Sequence, residues 1–224
     1  MTRRMIRACI FDLDGVIVDT AHYHFLAWQR LAQELGIPFN EDDNERLKGV
    51  SRMRSLEIIL ELGRLTMDEA RKEQLATKKN GWFVDYVNAI RPEEIFPGVK
   101  ELIDQIKAKG IKVGLASSSK NAQRVIDLLQ IGSLFDAVVD GTMITHSKPH
   151  PEIFLLAAKR LGLAPAECVV FEDAEAGVEA ALAAGMRCVG VGLPEQLGKA
   201  HHIIPHTGQY TLERLSELEH LNLE

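Results

Sequence analysis

Acidic, hydroxyl and basic side chains recur in this sequence directly after short apolar runs. The groups that follow such runs are Asp12-Leu13-Asp14-Gly15, Ser117 to Asn121, Asp140-Gly141 and Glu172-Asp173. A further basic residue, Lys148, lies with Pro149 in a loop before a helical pattern. Ligands of open parallel sheets bind beyond the carboxyl ends of the strands, so we expect these side chains to meet at one edge of a sheet.

Together these residue types suit a phosphoryl group and a divalent cation. Magnesium prefers oxygen ligands, which Asp12 and the Glu172-Asp173 pair can supply. Lys148 and Ser117 would hold oxygens of the transferring group. Asp12 is also a potential nucleophile. Asp14, two residues along an extended segment, would point to the same side and protonate the leaving oxygen.

Each of these motifs, taken alone, also has a structural explanation. Asp and Gly are common in turns, and Ser117 to Ser119 could cap a helix. Lys148 could be a solvated surface charge, and Glu172-Asp173 could favour the start of a helix. These explanations would require independent coincidences at successive strand ends, and the sequence therefore favours a catalytic site.

Five short apolar runs predict strands that are buried on both faces. They are Ala8 to Phe11, Val113 to Ala116, Ala137 to Val139, Cys168 to Phe171 and Cys188 to Val191. Segments with helical spacing separate them, and the glycines placed as helix stops are Gly110, Gly132, Gly162 and Gly185. This alternation predicts an α/β fold with a Rossmann-like parallel sheet.

The stretch 19–92 interrupts the alternation and contains no strand pattern. Ser51 is placed to cap one helix, and Thr66 with Glu69 matches a capping box that would open a longer one. We therefore predict an all-helical cap domain, 19–92, inserted into a core domain formed by residues 1–18 and 93–224.

Composition excludes several classes of protein. The 224 residues are 46% hydrophobic and 26% charged, which is typical of a globular protein. The net charge of -6, without blocks of like charge, argues against a nucleic-acid partner. No apolar stretch approaches the roughly 20 residues of a membrane span, so we expect no membrane partner and a cytoplasmic location. A monomer is the default expectation.

Cys9, Cys168 and Cys188 lie in strand runs without metal-ligand spacing and are predicted to be buried thiols.

The ordered motifs resemble those of the haloacid dehalogenase superfamily of phosphotransferases over essentially the whole chain. The resemblance rests on Phe11 to Val16, Ser117, Lys148-Pro149, and Glu172-Asp173 followed by Ala176-Gly177. It implies that Asp12 is the nucleophile and that Asp14 is the general acid/base and a backbone-carbonyl ligand of Mg²⁺. It also implies that Ser117 and Lys148 bind phosphate and that Glu172 and Asp173 complete the metal site. The carboxylate at Asp14 favours a phosphate ester as the substrate.

The helical insert suggests a second phosphate site. Leu47 to Arg52 places an arginine and a helix N-terminus beside the flexible Gly49, which could grip a phosphate distant from the reacting one.

The insert and parts of the core together resemble the sugar phosphomutases of the superfamily. The matching stretches are Asp19-Thr20 with His22, His24, Phe25, Ala27 and Trp28, Leu47 to Arg52 with Ser55, Lys78-Lys79-Asn80, Ala116 to Asn121, and Tyr210-Thr211-Leu212. This resemblance implies that Arg52, Ser119, Lys120 and Asn121 hold the non-transferring phosphate. His24 and Lys79 would lie over Asp14, and Trp28 and Ser55 would line the sugar pocket. The remaining residues expected at the substrate are Thr20, Lys48, Gly49, Val50, Ser51 and Ser118.

The implied reaction interconverts β-D-glucose 1-phosphate and glucose 6-phosphate, with Mg²⁺ and glucose 1,6-bisphosphate. Two alternatives remain. A sugar-phosphate phosphatase would use the same core but would need no second phosphate grip. A non-catalytic binding protein for phosphorylated metabolites would be indicated by loss of Asp12 or Asp14, and both are present.

Overall fold

The computed structural model describes residues 5–220 and contains one six-stranded sheet, in which all neighbouring strands are parallel. The strands are β1 (Ala8–Phe11), β2 (Lys112–Ala116), β3 (Ala137–Val139), β4 (Cys168–Glu172), β5 (Arg187–Val191) and β6 (His202–Ile204). Their spatial order is β3-β2-β1-β4-β5-β6, which places β1 in the interior of the sheet between β2 and β4. The predicted Rossmann-like α/β fold is confirmed.

Helices cover both faces of the sheet because successive strand residues face opposite sides. The helices outside the insert are α5 (Val99–Ala108), α6 (Ala122–Leu129), α7 (Glu152–Leu161), α8 (Glu175–Ala183), α9 (Pro194–Leu197) and α10 (Glu213–Glu219). Phe11 of β1 packs in one core cluster with α5, α6 and α10, whereas Ile10 packs in another with α7 and α8. The three cysteines are buried free thiols, as the sequence predicts.

Four α-helices occupy the chain between β1 and α5, in addition to one turn of 3-10 helix at Pro92–Glu94. They are α1 (Ala21–Glu34), α2 (Glu41–Glu45), α3 (Arg52–Leu62) and α4 (Glu69–Val87). Trp28, Leu31, Leu56 and Leu75 belong to a separate hydrophobic cluster of this segment. The segment is helical, without a strand among its residues. The domain limits 1–18 with 93–224 and 19–92 remain a prediction, and their ends 1–4 and 221–224 lie outside the described residues.

Three local expectations were wrong. Helix α4 is capped by Asp68, whose side chain accepts a hydrogen bond from the Arg71 amide at 2.8 Å, so the Thr66 capping box does not form. Helix α6 ends earlier than Gly132, because Gln130 adopts the left-handed conformation with φ of 57°. The short strand β6 was missed, since its three half-buried to buried residues carry too little pattern.

None of the helices among residues 5–220 combines the length and the apolar composition that a membrane crossing requires.

Candidate active site

The carboxyl ends of β1, β2 and β4 bring the candidate catalytic side chains to one edge of the sheet. Asp12 directly follows β1, and its amide donates to the Phe171 carbonyl of β4 at 2.9 Å. Ser117 follows β2, and its amide donates to the Val139 carbonyl of β3 at 3.0 Å. Ladder hydrogen bonds therefore continue past the strands and fix the backbone that carries these side chains.

Lys148 forms ion pairs with two of the carboxylates. Its ammonium lies 2.5 Å from Asp12 Oδ1 and 2.8 Å from Glu172 Oε2, and the Lys148 and Glu172 side chains have no exposed area. Burial alone would lower the pKa of Lys148, but the charges of Asp12 and Glu172 raise it above its usual range. Burial raises the pKa of Glu172 despite the ammonium beside it. Lys148 is therefore held as a cation against the candidate nucleophile.

Asp14 lies in a different environment from Asp12. Burial and the Asp12 charge raise the pKa of Asp14 to about 6, against the opposing effects of Thr20, Lys148 and Ser117. The Thr20 hydroxyl donates to Asp14 Oδ1, and the Ser117 hydroxyl approaches Asp14 Oδ2 at 3.4 Å. A carboxyl group that titrates near neutral pH is suited to giving and taking protons during a reaction.

Three of the four predicted metal ligands form an oxygen cluster. Carboxylate atoms of Asp12, Glu172 and Asp173 all lie within 4.8 Å of one another. Burial and the charges of Glu172 and Asp12 raise the pKa of Asp173, which forms no ion pair with any described residue. An all-oxygen donor set with more negative than positive charge fits Mg²⁺. The predicted contribution of the Asp14 backbone carbonyl remains a prediction.

Gly15 allows this cluster to assemble. Its φ is +77°, and a Cβ at this position would collide with the Asp173 carboxylate. A glycine is therefore required both by the backbone conformation and by the close approach.

A cavity of about 440 Å³ joins the edge of the sheet to the helical segment. The predicted site residues that line it are Asp12, Asp14, His24, Trp28, Lys48, Gly49, Ser51, Arg52, Ser55, Lys79, Ser118, Ser119, Lys120 and Asp173. The structure thus brings several strand-end residues and most of the predicted cap residues to one cavity.

The other predicted residues lie outside the cavity lining. Thr20 and Ser117 contact the lining residue Asp14, Lys148 contacts the lining residue Asp12, and Glu172 contacts Lys148. The side-chain Nδ2 of Asn121 donates to Asn80 Oδ1 of α4 at 2.8 Å. Val50 packs against the hydrophobic cluster of the helical segment. A role of Asn121 or Val50 at the substrate remains a prediction.

Lys79 and His24 form a polar pair in the wall contributed by the helices. Lys79 Nζ lies 2.8 Å from His24 Nδ1 and 4.3 Å from the centre of the Trp28 ring. The His24 ring stacks on Phe83 with centroids 3.9 Å apart. Burial and the nearby cations Lys79 and Arg52 lower the pKa of His24, so it is neutral and accepts the hydrogen bond from Lys79. Burial and Arg52 likewise lower the pKa of Lys79.

Arg52 is the first residue of α3, whose cap is the Ser51 side chain, as the sequence predicts. Burial lowers the pKa of Arg52, and its guanidinium makes no ion pair or hydrogen bond with any described residue. A partly buried cation that lines a cavity without a protein carboxylate beside it is suited to an anionic group of a ligand.

Direct contacts join the helical segment to the core at the cavity rim. The Ser118 hydroxyl donates to the Gly49 carbonyl at 2.8 Å, and Asn121 donates to Asn80 as given above. The loop after β2 thus contacts both the segment before α3 and the middle of α4.

Sequence reasoning missed several lining residues. Glu73, Ala76 and Thr77 of α4 line the cavity at helical spacing on one face of the helix. Extending the periodicity backwards from Lys79-Asn80 would have found them. Asn44 of the short helix α2 also lines the cavity, and no pattern in the sequence indicates it.

The chain belongs to the haloacid dehalogenase-like hydrolase family, whose model matches residues 6–185. Among curated relatives, it is 46% identical to β-phosphoglucomutase of Bacillus subtilis over 95% of each chain. It is 36% identical to a phosphorylated carbohydrates phosphatase of Thermotoga maritima over 87% of this chain and 89% of the relative. The solved structure of β-phosphoglucomutase from Clostridium difficile matches it with a TM-score of 0.91 at 44% identity, covering 96% of this chain and 97% of that one.

Proposed function

We propose that this chain is a β-phosphoglucomutase that interconverts β-D-glucose 1-phosphate and glucose 6-phosphate. The observation that carries the proposal is the single cavity that contains Asp12 and Asp14 at the edge of the sheet together with Arg52 and Lys120. A mutase must accommodate two phosphates at once, and this cavity offers cations beyond those that neutralise the reacting carboxylates.

The proposed reaction uses Asp12 as the nucleophile. One Asp12 carboxylate oxygen attacks the phosphorus of glucose 1,6-bisphosphate, and the bond from phosphorus to the sugar oxygen breaks. Asp14 gives its proton to the departing sugar oxygen. The monophosphate that is left departs, and the aspartyl phosphate passes its phosphoryl group to the free hydroxyl of the opposite monophosphate, which is the C6 hydroxyl of β-D-glucose 1-phosphate or the C1 hydroxyl of glucose 6-phosphate. The proton of that hydroxyl returns to Asp14. Two such half-reactions interconvert the monophosphates and regenerate the bisphosphate.

Lys148 supports this chemistry electrostatically. Its buried ammonium already donates hydrogen bonds to Asp12 and Glu172. The positive charge of Lys148 is therefore in position before the phosphoryl group binds. Preorganised charge of this kind stabilises a transition state without reorganisation during the reaction. Asp12, Glu172 and Asp173 would hold Mg²⁺, which supplies positive charge to the oxygens of the transferring group.

The helical segment would bind the rest of the substrate. Arg52, Ser119, Lys120 and Asn121 would hold the non-transferring phosphate, and Trp28 and Ser55 would contact the sugar. Thr20, His24 and Lys79 would keep Asp14 in position, and the stretch Lys48 to Ser51 with Ser118 would close the rim. Exclusion of water by this closure would allow the aspartyl phosphate to survive until the next sugar monophosphate accepts its phosphoryl group.

A sugar-phosphate phosphatase is the second candidate, and the Thermotoga maritima relative supports it. It would use the same nucleophile and differ in how fast water reaches the aspartyl phosphate. A coupled assay separates the two functions by following glucose 6-phosphate and free phosphate in one tube, with β-glucose 1-phosphate, Mg²⁺ and a trace of glucose 1,6-bisphosphate. Glucose 6-phosphate should exceed free phosphate by a wide margin. Dominant free phosphate would overturn the mutase proposal and leave the phosphatase.

Variants of the same assay test the individual roles. Asp12→Ala should abolish turnover and phosphoenzyme formation together, and substantial remaining mutase activity would show that Asp12 is not the nucleophile. Arg52→Ala should lower kcat/KM by roughly 10- to 100-fold, as expected for a lost charge-assisted hydrogen bond. Arg54→Ala is the matched control, because Arg54 lies on the same helix and pairs with Glu57 and Glu61 at the surface.

A further inference from the structure

A second group of side chains that could bind a metal ion flanks Lys148 in the sequence. His146, His150 and Glu152 each offer one ligand atom, and these atoms all lie within 4.8 Å of one another. None of the three lines the cavity of the candidate active site. The cluster contains two imidazoles, whereas the cluster at the sheet edge contains only carboxylates.

The three side chains are held in place by the start of α7. The Glu152 carboxylate accepts the amides of Thr145 at 2.9 Å and His146 at 2.8 Å, and it lies 2.9 Å from His146 Nδ1. The Glu152 amide donates to His150 Nδ1 at 3.3 Å. The two imidazole rings have their centres 4.6 Å apart. The potential ligands are therefore already gathered without a metal ion.

The chemistry of these donors selects a class of ion. Two imidazole nitrogens and one carboxylate oxygen suit Zn²⁺ and related transition metals, whereas Mg²⁺ prefers oxygen ligands alone. The His146 side chain is 63% exposed, so an ion can reach it from solvent. Three protein ligands leave a position for water, as is common in open zinc sites.

We propose that His146, His150 and Glu152 form a binding site for a transition-metal dication, with Zn²⁺ as the representative ion, separate from the carboxylate site. The bound ion would join the two ends of the segment 146–150. Lys148 lies at the centre of that segment, and its ammonium bonds to Asp12. A bound ion would therefore restrain the loop that carries Lys148.

Zinc titration by calorimetry tests the proposal once the carboxylate site is disabled. The Asp12→Asn/Asp173→Asn variant should still bind one Zn²⁺. Adding His146→Gln or His150→Gln should weaken that binding by at least about tenfold. Adding His206→Gln, a change at an exposed histidine outside the cluster, should leave it unchanged. No zinc binding in the starting variant, or equal binding after the His146 and His150 changes, would overturn the proposal.

The wild-type chain provides a second measurement that does not depend on folding of the variants. In excess Mg²⁺, added Zn²⁺ should shift the imidazole NMR signals of His146 and His150 and leave those of His206 in place. Unchanged signals from His146 and His150 at saturating Zn²⁺ would equally overturn the site.

Discussion

The Lys148 ammonium lies 2.5 Å from Asp12 Oδ1, although 136 residues separate the two in the chain. The lysine is 1% exposed and the aspartate 4%. The same ammonium also contacts Glu172, so one buried cation serves two buried carboxylates. The fold thus places more negative than positive side chains at the position where a divalent cation and a phosphoryl group are expected.

Replacing Lys148 by Met should therefore destabilise the protein strongly. Two buried carboxylates would lose their cation, and breaking a buried pair in this way costs about 3–5 kcal/mol. Urea unfolding without Mg²⁺ should show this loss, and Mg²⁺ should reduce it because the ion replaces part of the missing charge. The exposed Lys159→Met serves as the control and should change stability by less than about 0.5 kcal/mol. Equal stability of the two variants would contradict the electrostatic account.

Alanine at two helical glycines should have opposite effects. A Cβ at Gly177 of α8 would overlap the Glu172 carboxyl group, whereas a Cβ at Gly81 of α4 would meet nothing within 4 Å. Gly81→Ala should therefore stabilise the protein by about 0.5–1 kcal/mol, the usual advantage of alanine in a helix.

Gly177→Ala should instead destabilise the protein and lower its activity. The displaced Glu172 carboxylate would no longer meet Lys148 in the present geometry. Thermal unfolding and the coupled assay measure the two effects. A stabilised and fully active Gly177→Ala variant would show that Glu172 moves aside without consequence.

Loss of the Asn80 side chain should increase hydrolysis relative to phosphoryl transfer. Asn80 on α4 accepts the Asn121 hydrogen bond that joins the helical segment to the core. One hydrogen bond contributes about 1 kcal/mol, so Asn80→Ala should favour opening by about fivefold. The ratio of free phosphate to glucose 6-phosphate should rise by a similar factor, while Asp85→Ala on the same helix, at an exposed position, should leave it unchanged. An unaltered ratio in Asn80→Ala would mean that this contact does not control water access.

The elements that carry the chemistry were predictable because their signals are local. Asp12 and Glu172-Asp173 end or follow strongly apolar strands, and parallel strands place their carboxyl ends at one edge. Strand β6 and the Asp68 cap were not predicted correctly. Strand β6 is only three residues long. For α4, both Thr66 and Asp68 are residue types that cap helices, and the capping-box pattern favours Thr66 where the structure uses Asp68.

The partners of individual side chains were less predictable than their chemical types. Thr20 and Asn121 are predicted at the substrate, and the sequence did not indicate that Thr20 hydrogen-bonds to Asp14 or that Asn121 hydrogen-bonds to Asn80. Asn44 of α2 lines the cavity, although no pattern in the sequence indicates it. Such relationships arise from tertiary packing between distant segments, which residue spacing along one helix or strand does not encode.

The depressed pKa of His24 should make stability depend on pH. Burial and the cations Lys79 and Arg52 disfavour a proton on the folded-state imidazole, whereas the unfolded chain binds one below about pH 6.5. Because the unfolded state then holds more protons, stability is fully present above about pH 6.5 and falls as the pH is lowered below it. The contribution is at most about 1.4 kcal/mol per pH unit.

The variant His24→Gln removes this titration and keeps a group that can accept the Lys79 hydrogen bond. Its unfolding free energy, measured in urea from about pH 5 to about pH 7.5, should fall less steeply towards acid than that of the wild type. Other titrating groups are common to both proteins and cancel in the difference. His22→Gln, at an exposed position two residues away, should follow the wild-type curve. Parallel curves for His24→Gln and the wild type would show that the folded protein accepts a proton on His24, and the neutral acceptor assigned to Lys79 would then be wrong.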